Sequence, residues 1–582
     1  MDTKTARKKL ITEAFFKLFI VNTFISLAQN INNILDGVFV GQFLGTKALA
    51  AVGFFTPYTS IVGLTTVIAI GAQIVIGNYI GAGDRKKVDT LFFSNFMALI
   101  VITVITGFFS IFLRYPLAAL LCAKGETQLI LADYIVGFVP GIVFQVLVAY
   151  LTGLVSYNND IKKSYMAIGV MVIVNVLGDI ILGQTIGILG IGIASSFSSF
   201  AAFLTLMPSF TGKTKALSIT RTEFDYDMIF KVILKGLPSA AFSIGMVIKT
   251  FLINSTLNLY AGTDGVAVSN VFNTVTGFIC PVPVGCYNAF LALSVIYYGD
   301  DDKESFMDLM RIALKYGAIS CTALIAVMML ISRPFALLFF APTDSAFEMA
   351  AIMLLILPSF ILPNVIFYLF VKAYQAEGHD LFVNVFSLVD PALTGIFIFF
   401  AVPALGINAG WFGTLFASSF GILIIILIVI FNKKRFPKTL EDLLMFDNDF
   451  GAPLGTFSEY TISSMDDVVA VSRQIMDFLK EMGSSKKEAM YVGLCSEELS
   501  NNILRHGFRS KKNYSVDIRV VKRDTLSLRF RDDCPEFDPK ARMDSLNPQE
   551  PEKNIGMRIV SKMAKDVSYY NNAGINTLLL KF

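Results

Sequence analysis

Residues 421–437, GILIIILIVIFNKKRFP, mark the point where the chain changes solvent. An apolar run ends in Lys433, Lys434 and Arg435, and charged residues then return at the density of a soluble protein. Upstream the same kind of run recurs, as in residues 99–113, LIVITVITGFFSIFL. Apolar segments of about 20 residues read as membrane-spanning helices, because a backbone in hydrocarbon must satisfy its own hydrogen bonds. Downstream, Glu498, Asn502 and His506 fall at i, i+4 and i+8. Asp532-Asp533-Cys534-Pro535-Glu536-Phe537 and Ile555-Gly556-Met557 follow. Together they read as a nucleotide site. The fold expected is an α-helical polytopic membrane part joined to a C-terminal α/β sandwich.

Composition agrees. Of 582 residues, 54% are apolar and 16% charged, so most of the chain is no water-soluble globule. A net charge of +3 is too small to imply nucleic acid as a partner. Six cysteines without C-x-x-C spacing and only two histidines argue against a disulfide framework or a structural metal. The first residues, MDTKTARKKLITEAFFKLF, run from basic side chains straight into a span without a small-residue cleavage site. They read as a retained helix rather than a removed signal peptide.

Apolar runs place about 12 spans, near 13–40, 48–80, 90–113, 127–155, 164–184, 190–209, 229–259, 265–298, 312–331, 346–373, 382–400 and 408–431. Basic residues cluster after even-numbered spans, at Arg85–Lys87, Lys162–Lys163, Lys213, Lys215, Arg221 and Lys433–Arg435. The positive-inside rule then puts both termini in the cytosol of a cell membrane protein. The halves repeat at an offset of about 217 residues: Gly45-Thr46 recurs as Gly262-Thr263, Tyr157 as Tyr374, and Gly190-Ile191 as Gly406-Ile407. Six spans each make two parallel six-helix repeats, which can rock about a shared cavity as in secondary transporters. The boundaries expected are 1–218 and 219–436 for the halves, a linker at 437–455, and a tail domain at 456–582.

Two motifs, NILDGVFVGQFLGTKALAAVG and IAIGAQIVIGNYIGAGDRKKV, with a degenerate second-half copy where GDDDKE replaces GAGDRK, resemble the multidrug and toxic compound extrusion (MATE) family over about residues 10–435. The resemblance implies export of amphiphilic small molecules driven by Na⁺ or H⁺ entry. The wider superfamily also holds lipid-linked cargo flippases.

Asp36 lies in the first span, with Asn32 and Asn33 nearby, and the fifth span places Asn175 and Asp179 on one helical face. A carboxylate in mid-bilayer costs about 2.5–3.5 kcal/mol on insertion scales, so it faces a cavity and a partner. Two carboxylates and an amide oxygen supply hard ligands for a small cation. A carboxyl raised by burial and like charge would hold a proton instead. By resemblance, Asp36, Asn175, Asp179 and Ser195 match the first-half cation site of prokaryotic MATE exporters. A shift of 217 from Asp36 and Asp179 lands on Ile253 and Ile396, so the expected coupling site is one-sided. Lys249 and Asp390 are the other intramembrane charges and are candidates for the substrate cavity.

The tail reads as a strand, helices at 465–482 and 486–506, strands at 514–522 and 524–531, a Pro-containing loop, a helix at 555–566 and a hairpin turning at Asn572-Ala573-Gly574. A carboxylate to polarise a nucleophile, an amide oxygen for Mg²⁺ and a ring near phosphate or sugar suit nucleotide chemistry. EELSNNILRHG, RDDCPEFDP and NIGMRIV resemble the boxes of GHKL ATPases, whose sandwich is the Bergerat-like fold, and especially the anti-sigma-factor serine kinases. The resemblance implies Mg-ATP as cofactor. It makes Glu498 a general base, Asn502 the Mg²⁺ ligand, Asp532 the reader of the adenine amino group, and Thr577 a neighbour of adenine. His506 would contact the nucleotide, and Gly556 would approach phosphate at a helix N-terminus. Cys534 and Asn554 stand where the family has glycines. Gly212-Lys213-Thr214 is no P-loop, because Met207 stands where its first glycine would be. The leading expectation is a cation-coupled exporter regulated by its ATP-binding or serine-kinase-like domain, with a regulatory protein as a further partner. The alternative is a membrane-tethered signalling kinase with a sensor-like transporter part.

Overall fold

A computed structural model describes residues 3–63, 65–121, 125–211, 216–220, 222–337, 339–340, 342–343, 345–508, 515–523, 525–544 and 555–582. Among the described residues eleven helices are long and apolar enough to cross a bilayer, and Val67–Gly81 is a shorter apolar helix. The loops expected near 41–47 and 260–264 are helical instead. One helix runs Thr3–Gly63 for 61 residues and another Tyr226–Ile279 for 54. Neither expected loop contains proline, and glycine alone costs a helix only about 1 kcal/mol. The second long helix stops where Pro281 opens a new one at its N-terminus.

The helices repeat as the sequence does. Arg85–Phe112 recurs as Lys303–Leu330, displaced by 218 residues, and Ile161–Ile186 as Asp380–Leu405, displaced by 219. Caps recur too: the Asp84 carboxylate accepts from Lys87 N at 3.2 Å, and Asp302 accepts from Ser305 N at 3.0 Å. Gly187 (φ 69°) precedes the helix at Ile188, and Gly406 (φ 87°) precedes the one at Ile407. Gly187, not Gly190, is therefore the counterpart of Gly406, because the residue closing a helix is the one that needs left-handed backbone.

The halves touch where helices Thr66–Gly81 and Pro281–Gly299 end. A Cβ on Gly81 would lie 2.2 Å from the Ile296 carbonyl oxygen, and one on Gly299 would lie 2.2 Å from that of Asn78. Glycine at both positions lets the two backbones meet.

The tail forms one antiparallel sheet of β1 (Phe457–Ile462), β2 (Val516–Lys522), β3 (Leu526–Asp532), β4 (Asp566–Asn572) and β5 (Ile575–Lys581), in the order β1-β2-β3-β5-β4. Its alternation of side chains sends Ile518, Phe530 and Leu580 into a core with Ile475, Val492 and Val560 of the covering helices. The helix Met465–Glu481 starts on a reciprocal Ser464/Asp467 cap. Ala573 (φ 54°) and Gly574 (φ 86°) turn the final hairpin, which favours residues tolerant of positive φ.

The opposite face of the sheet lies on the membrane part, where Tyr570, Ala573 and Ile575 join the large apolar core. Residues 437–450, expected as part of a linker, are fixed to the second half. Asp442 accepts from Lys438 N at 2.9 Å and from Arg435 at 2.6 Å. Tyr374 donates to the Leu443 carbonyl at 2.7 Å, and Met445 N donates to Glu377 at 3.0 Å. Phe446 and Phe450 pack on Phe306 with centroids at 5.2 and 6.1 Å.

Candidate functional site

Between the sheet and its helices lies a cavity of about 500 Å³, a volume suited to a small organic ligand. Leu499, Ile503, Phe530, Met557 and Leu578 give it apolar walls, while Asn502, His506, Asp532, Asn576 and Arg542 bring polar groups to it. Three of the predicted residues, Asn502, His506 and Asp532, therefore converge. The helix carrying them is α-helical only over Lys486–Asn502. A π-turn, Ile503–Gly507, replaces its last turn and carries His506, which lines the cavity at its exposed rim.

Asp532 ends β3 and is buried. Its Oδ1 accepts from Asn576 Nδ2 at 2.7 Å and from Cys534 N at 3.0 Å, and the carboxylate lines the cavity. Burial pushes this carboxyl up, and the Asn576 amide and both the N–H and the thiol of Cys534 draw it back. An apolar slot ending in an oriented carboxylate fits a flat base with an exocyclic amine. The residues present thus suit the adenine end of ATP.

Thr577 does not line this cavity. It pairs with Arg531 and Tyr570 across the strands, on the outer face, and Asn576 takes the inner position beside Asp532. Strict alternation along β5, with Leu578 and Leu580 turned to the core, was the available signal for Asn576. Arg542 and Tyr569 were also missed, since both lie in segments without a motif. Glu498 abuts Gly556: a Cβ there would lie 2.0 Å from Glu498 Oε2, so glycine is what lets the carboxylate reach the start of helix Ile555–Met563. Asn554 lies outside the described residues, with most of the loop before it.

Cys534, which stands where a glycine was expected, has its space from another glycine. A Cβ on Gly507 would lie 2.8 Å from Cys534 Sγ and 3.0 Å from its Cβ. Gly507→Ala is expected to destabilise the domain by about 1–3 kcal/mol through overpacking, with Gly507→Ala/Cys534→Gly recovering most of it. Thermal unfolding of both variants checks this, and equal melting points for single and double variants would refute the compensation.

In the membrane part, Asn175 and Asp179 are buried one helical turn apart. Asn175 Nδ2 donates to Ser195 Oγ on the adjacent helix at 3.4 Å, so three of the four predicted cation-site residues share one place. The side chain of Asp36 lies outside the described residues. With the observed offset of 219, the counterpart of Asp179 is Ile398 rather than Ile396, and the second half still offers no carboxylate there. Lys249 and Asp390 are both buried but not ion-paired with each other. Asp390 accepts from Tyr368 at 3.0 Å and Ser418 at 3.1 Å, while the Lys249 ammonium lies 5.6 Å from the Phe272 ring centroid.

The chain matches the MatE family over residues 23–181 and 238–400, more than half its length, and a histidine kinase-like ATPase domain over 463–582. It is 22% identical to a probable multidrug resistance protein, YoeA, of Bacillus subtilis, over 62% of this chain and 82% of that protein. It is 23% identical to the multidrug export protein MepA of Staphylococcus aureus, over 73% of this chain and 94% of that protein. Among solved structures, a MATE transporter in complex with MaL6 superposes with a TM-score of 0.67 at 21% identity, over 73% of this chain and 96% of that one. A MOP superfamily transporter from Pyrococcus furiosus superposes at 0.66 with 20% identity, over the same shares. With its helical repeats, the fold those structures share and the family match across both halves, the chain is a multi-pass membrane protein of the MATE family that carries a histidine kinase-like ATPase domain at its C-terminal end.

Proposed function

We propose that the protein exports amphiphilic small molecules by exchange with Na⁺ or H⁺, and that its ATP-binding domain, residues 456–582, regulates this exchange. Residues 1–218 and 219–436 are the two bundles that rock, and both termini face the cytosol, as the distribution of basic residues favours. The observation that carries the coupling reading is the buried set Asn175, Asp179 and Ser195. Buried acidic groups in a bundle mark ion pathways, and the Asn175 amide leaves its oxygen for a cation. Asp36 completes the set. Lys249 and Asp390 face the cargo cavity in this reading.

In the tail, Asn502 would hold Mg²⁺, Asp532 would read the base, and Arg542 would meet phosphate. Bound ATP brings charge and ordering to a cavity whose walls are shared with the face resting on the membrane part. Energy for export comes from the ion gradient, so Glu498→Ala is expected to export at the wild-type rate under an imposed gradient and to lose only its response to ATP. Counterflow in proteoliposomes, with Na⁺ and H⁺ gradients imposed separately and ATP present or absent, is the measurement. Export that requires ATP hydrolysis and ignores both gradients would overturn the reading. A serine-kinase activity toward a regulatory protein remains a second output of the same cavity, tested by phosphate transfer in the same preparation.

A further inference from the structure

The sheet face turned away from the nucleotide cavity carries Asp517, Arg519, Arg529 and Arg531, all buried. What covers them is the acidic turn Asp300–Asp302 between two helices of the second half. Arg519 donates to Asp302 Oδ1 at 2.7 Å. Arg529 donates to Asp300 and Asp302, both at 2.6 Å, and Arg531 donates to the same two residues at 2.8 Å each. Burial would push the Asp302 carboxyl up, but Arg519, Arg529 and Arg531 outweigh it and hold it well below the usual carboxylate range. Asp302, Glu304 and Glu459 converge within 4.8 Å of one another, like a metal site. Arg519 bonds all three, at 2.7, 2.7 and 3.2 Å, and is the cation they hold.

The homologous turn of the first half is also covered, through neutral acceptors. Lys581 donates to the Ala82 carbonyl at 2.7 Å and Ser568 to that of Gly83 at 3.0 Å. At another turn of the first half, Asn159 donates to the carboxylate of Glu536, at the rim of the nucleotide cavity, at 3.2 Å. Beside these contacts a cleft of about 880 Å³ stays open between the first half and the ATPase domain. The homologous turn of the first half is thus held through neutral acceptors, while that half's own ionic grip comes from its opening helix. There the buried Arg7 donates to Glu459 of β1 at 2.5 Å and to Asp308 of the second half at 3.0 and 3.1 Å, and Lys9 donates to Ser515 at 3.1 Å. The departure of GDDDKE from GAGDRK has its partner here, in three arginines of the tail.

We infer that the outer face of this sheet is an intramolecular clasp, anchored on the acidic turn of the second half and reaching across to the paired turn of the first. It holds the two membrane halves shut at the helix ends where Gly81 and Gly299 touch. The inference rests on the regulatory reading of the ATPase domain and supplies its means. On β3, Arg529 and Arg531 point to the clasp while Phe530 and Asp532 line the nucleotide cavity. On β4, Ser568 bonds the first half while Tyr569 lines the cavity. The same strands therefore serve both faces, and any coupling between nucleotide and clasp must act equally in both directions. Parting the halves on this side requires the contacts at the first-half turn and those of Arg7 to yield.

The test uses the full chain in lipid nanodiscs, with spin probes on cysteines placed at the exposed Lys86 of the first half and Lys438 beside the second. Two variants attack the clasp from opposite sides. Asp300→Asn/Asp302→Asn keeps a helix cap while removing both charges, and Arg531→Gln removes one arginine from the sheet. Both are expected to shift the probe distance toward longer, broader values and to speed tryptic release of the intact ATPase domain. Faster release with an unchanged distance in both variants would show a dock that does not hold the halves, and would overturn the clasp. Unaccelerated release would overturn it as well, since the ion network would then not hold the domain. The effect of ATP on transport is read separately. Longer distances without any ATP effect would keep the clasp and remove the regulatory reading.

Discussion

Asp179→Asn is expected to reduce gradient-driven export to the level of protein-free vesicles while the protein still inserts and folds. Asparagine keeps the shape of the side chain and is cheaper than a carboxylate to place in hydrocarbon. The variant should therefore be no less stable than the wild type. What it loses is the negative charge that, in the proposed exchange, holds a cation or a proton. Asp179 is fully buried, one turn from Asn175, whose amide is already turned to Ser195. The residue of the second half at the equivalent repeat position is Ile398, which carries no charge. Transport into proteoliposomes under imposed Na⁺ and H⁺ gradients, with insertion checked by size-exclusion profile, reads the outcome. A properly inserted variant exporting at the wild-type rate would end the coupling assignment.

Asp532→Ala should weaken Mg-ATP binding by about 10- to 100-fold, since a hydrogen bond to a charged group is worth about 1.5–3 kcal/mol. The alanine also strands two donors, Asn576 Nδ2 and Cys534 N, which now share Oδ1. Asp532→Asn separates the two effects, because its carbonyl still accepts from the backbone N–H while the charge facing the cavity is gone. Calorimetry belongs on the full chain rather than on the isolated tail, whose outer face buries Arg519, Arg529 and Arg531 against the membrane part. Equal affinities for wild type and Asp532→Ala would remove Asp532 as the base reader.

The spans, the twofold repeat and the secondary structure of the tail were legible because each is local. A bilayer selects for apolar length, and a half-buried sheet selects for alternation, so both leave a periodic trace. Strands expected at 514–522 and 524–531 run Val516–Lys522 and Leu526–Asp532. The errors came where local rules underdetermine the backbone. Gly-rich motifs were read as loops although nothing in them removes a helical N–H. A π-turn, which no simple periodicity announces, carries His506, and Glu498 of the same expected ladder meets Gly556 rather than lining the cavity. One residue of register on β5 moved Thr577 to the outer face and brought Asn576 to the cavity.

By itself the sequence determined that two solvents are involved and where the chain passes from one to the other. Hydrophobic period and motif spacing are properties of neighbouring residues, so one dimension holds them. Only the tertiary structure decided that Asp302 meets Arg519, Arg529 and Arg531, more than 200 positions away, and that Gly81 and Gly299 touch. Charge complementarity between distant segments leaves no periodic trace, because an aspartate run on a turn and arginines on a strand look equally like solvated surface until folding removes the water between them.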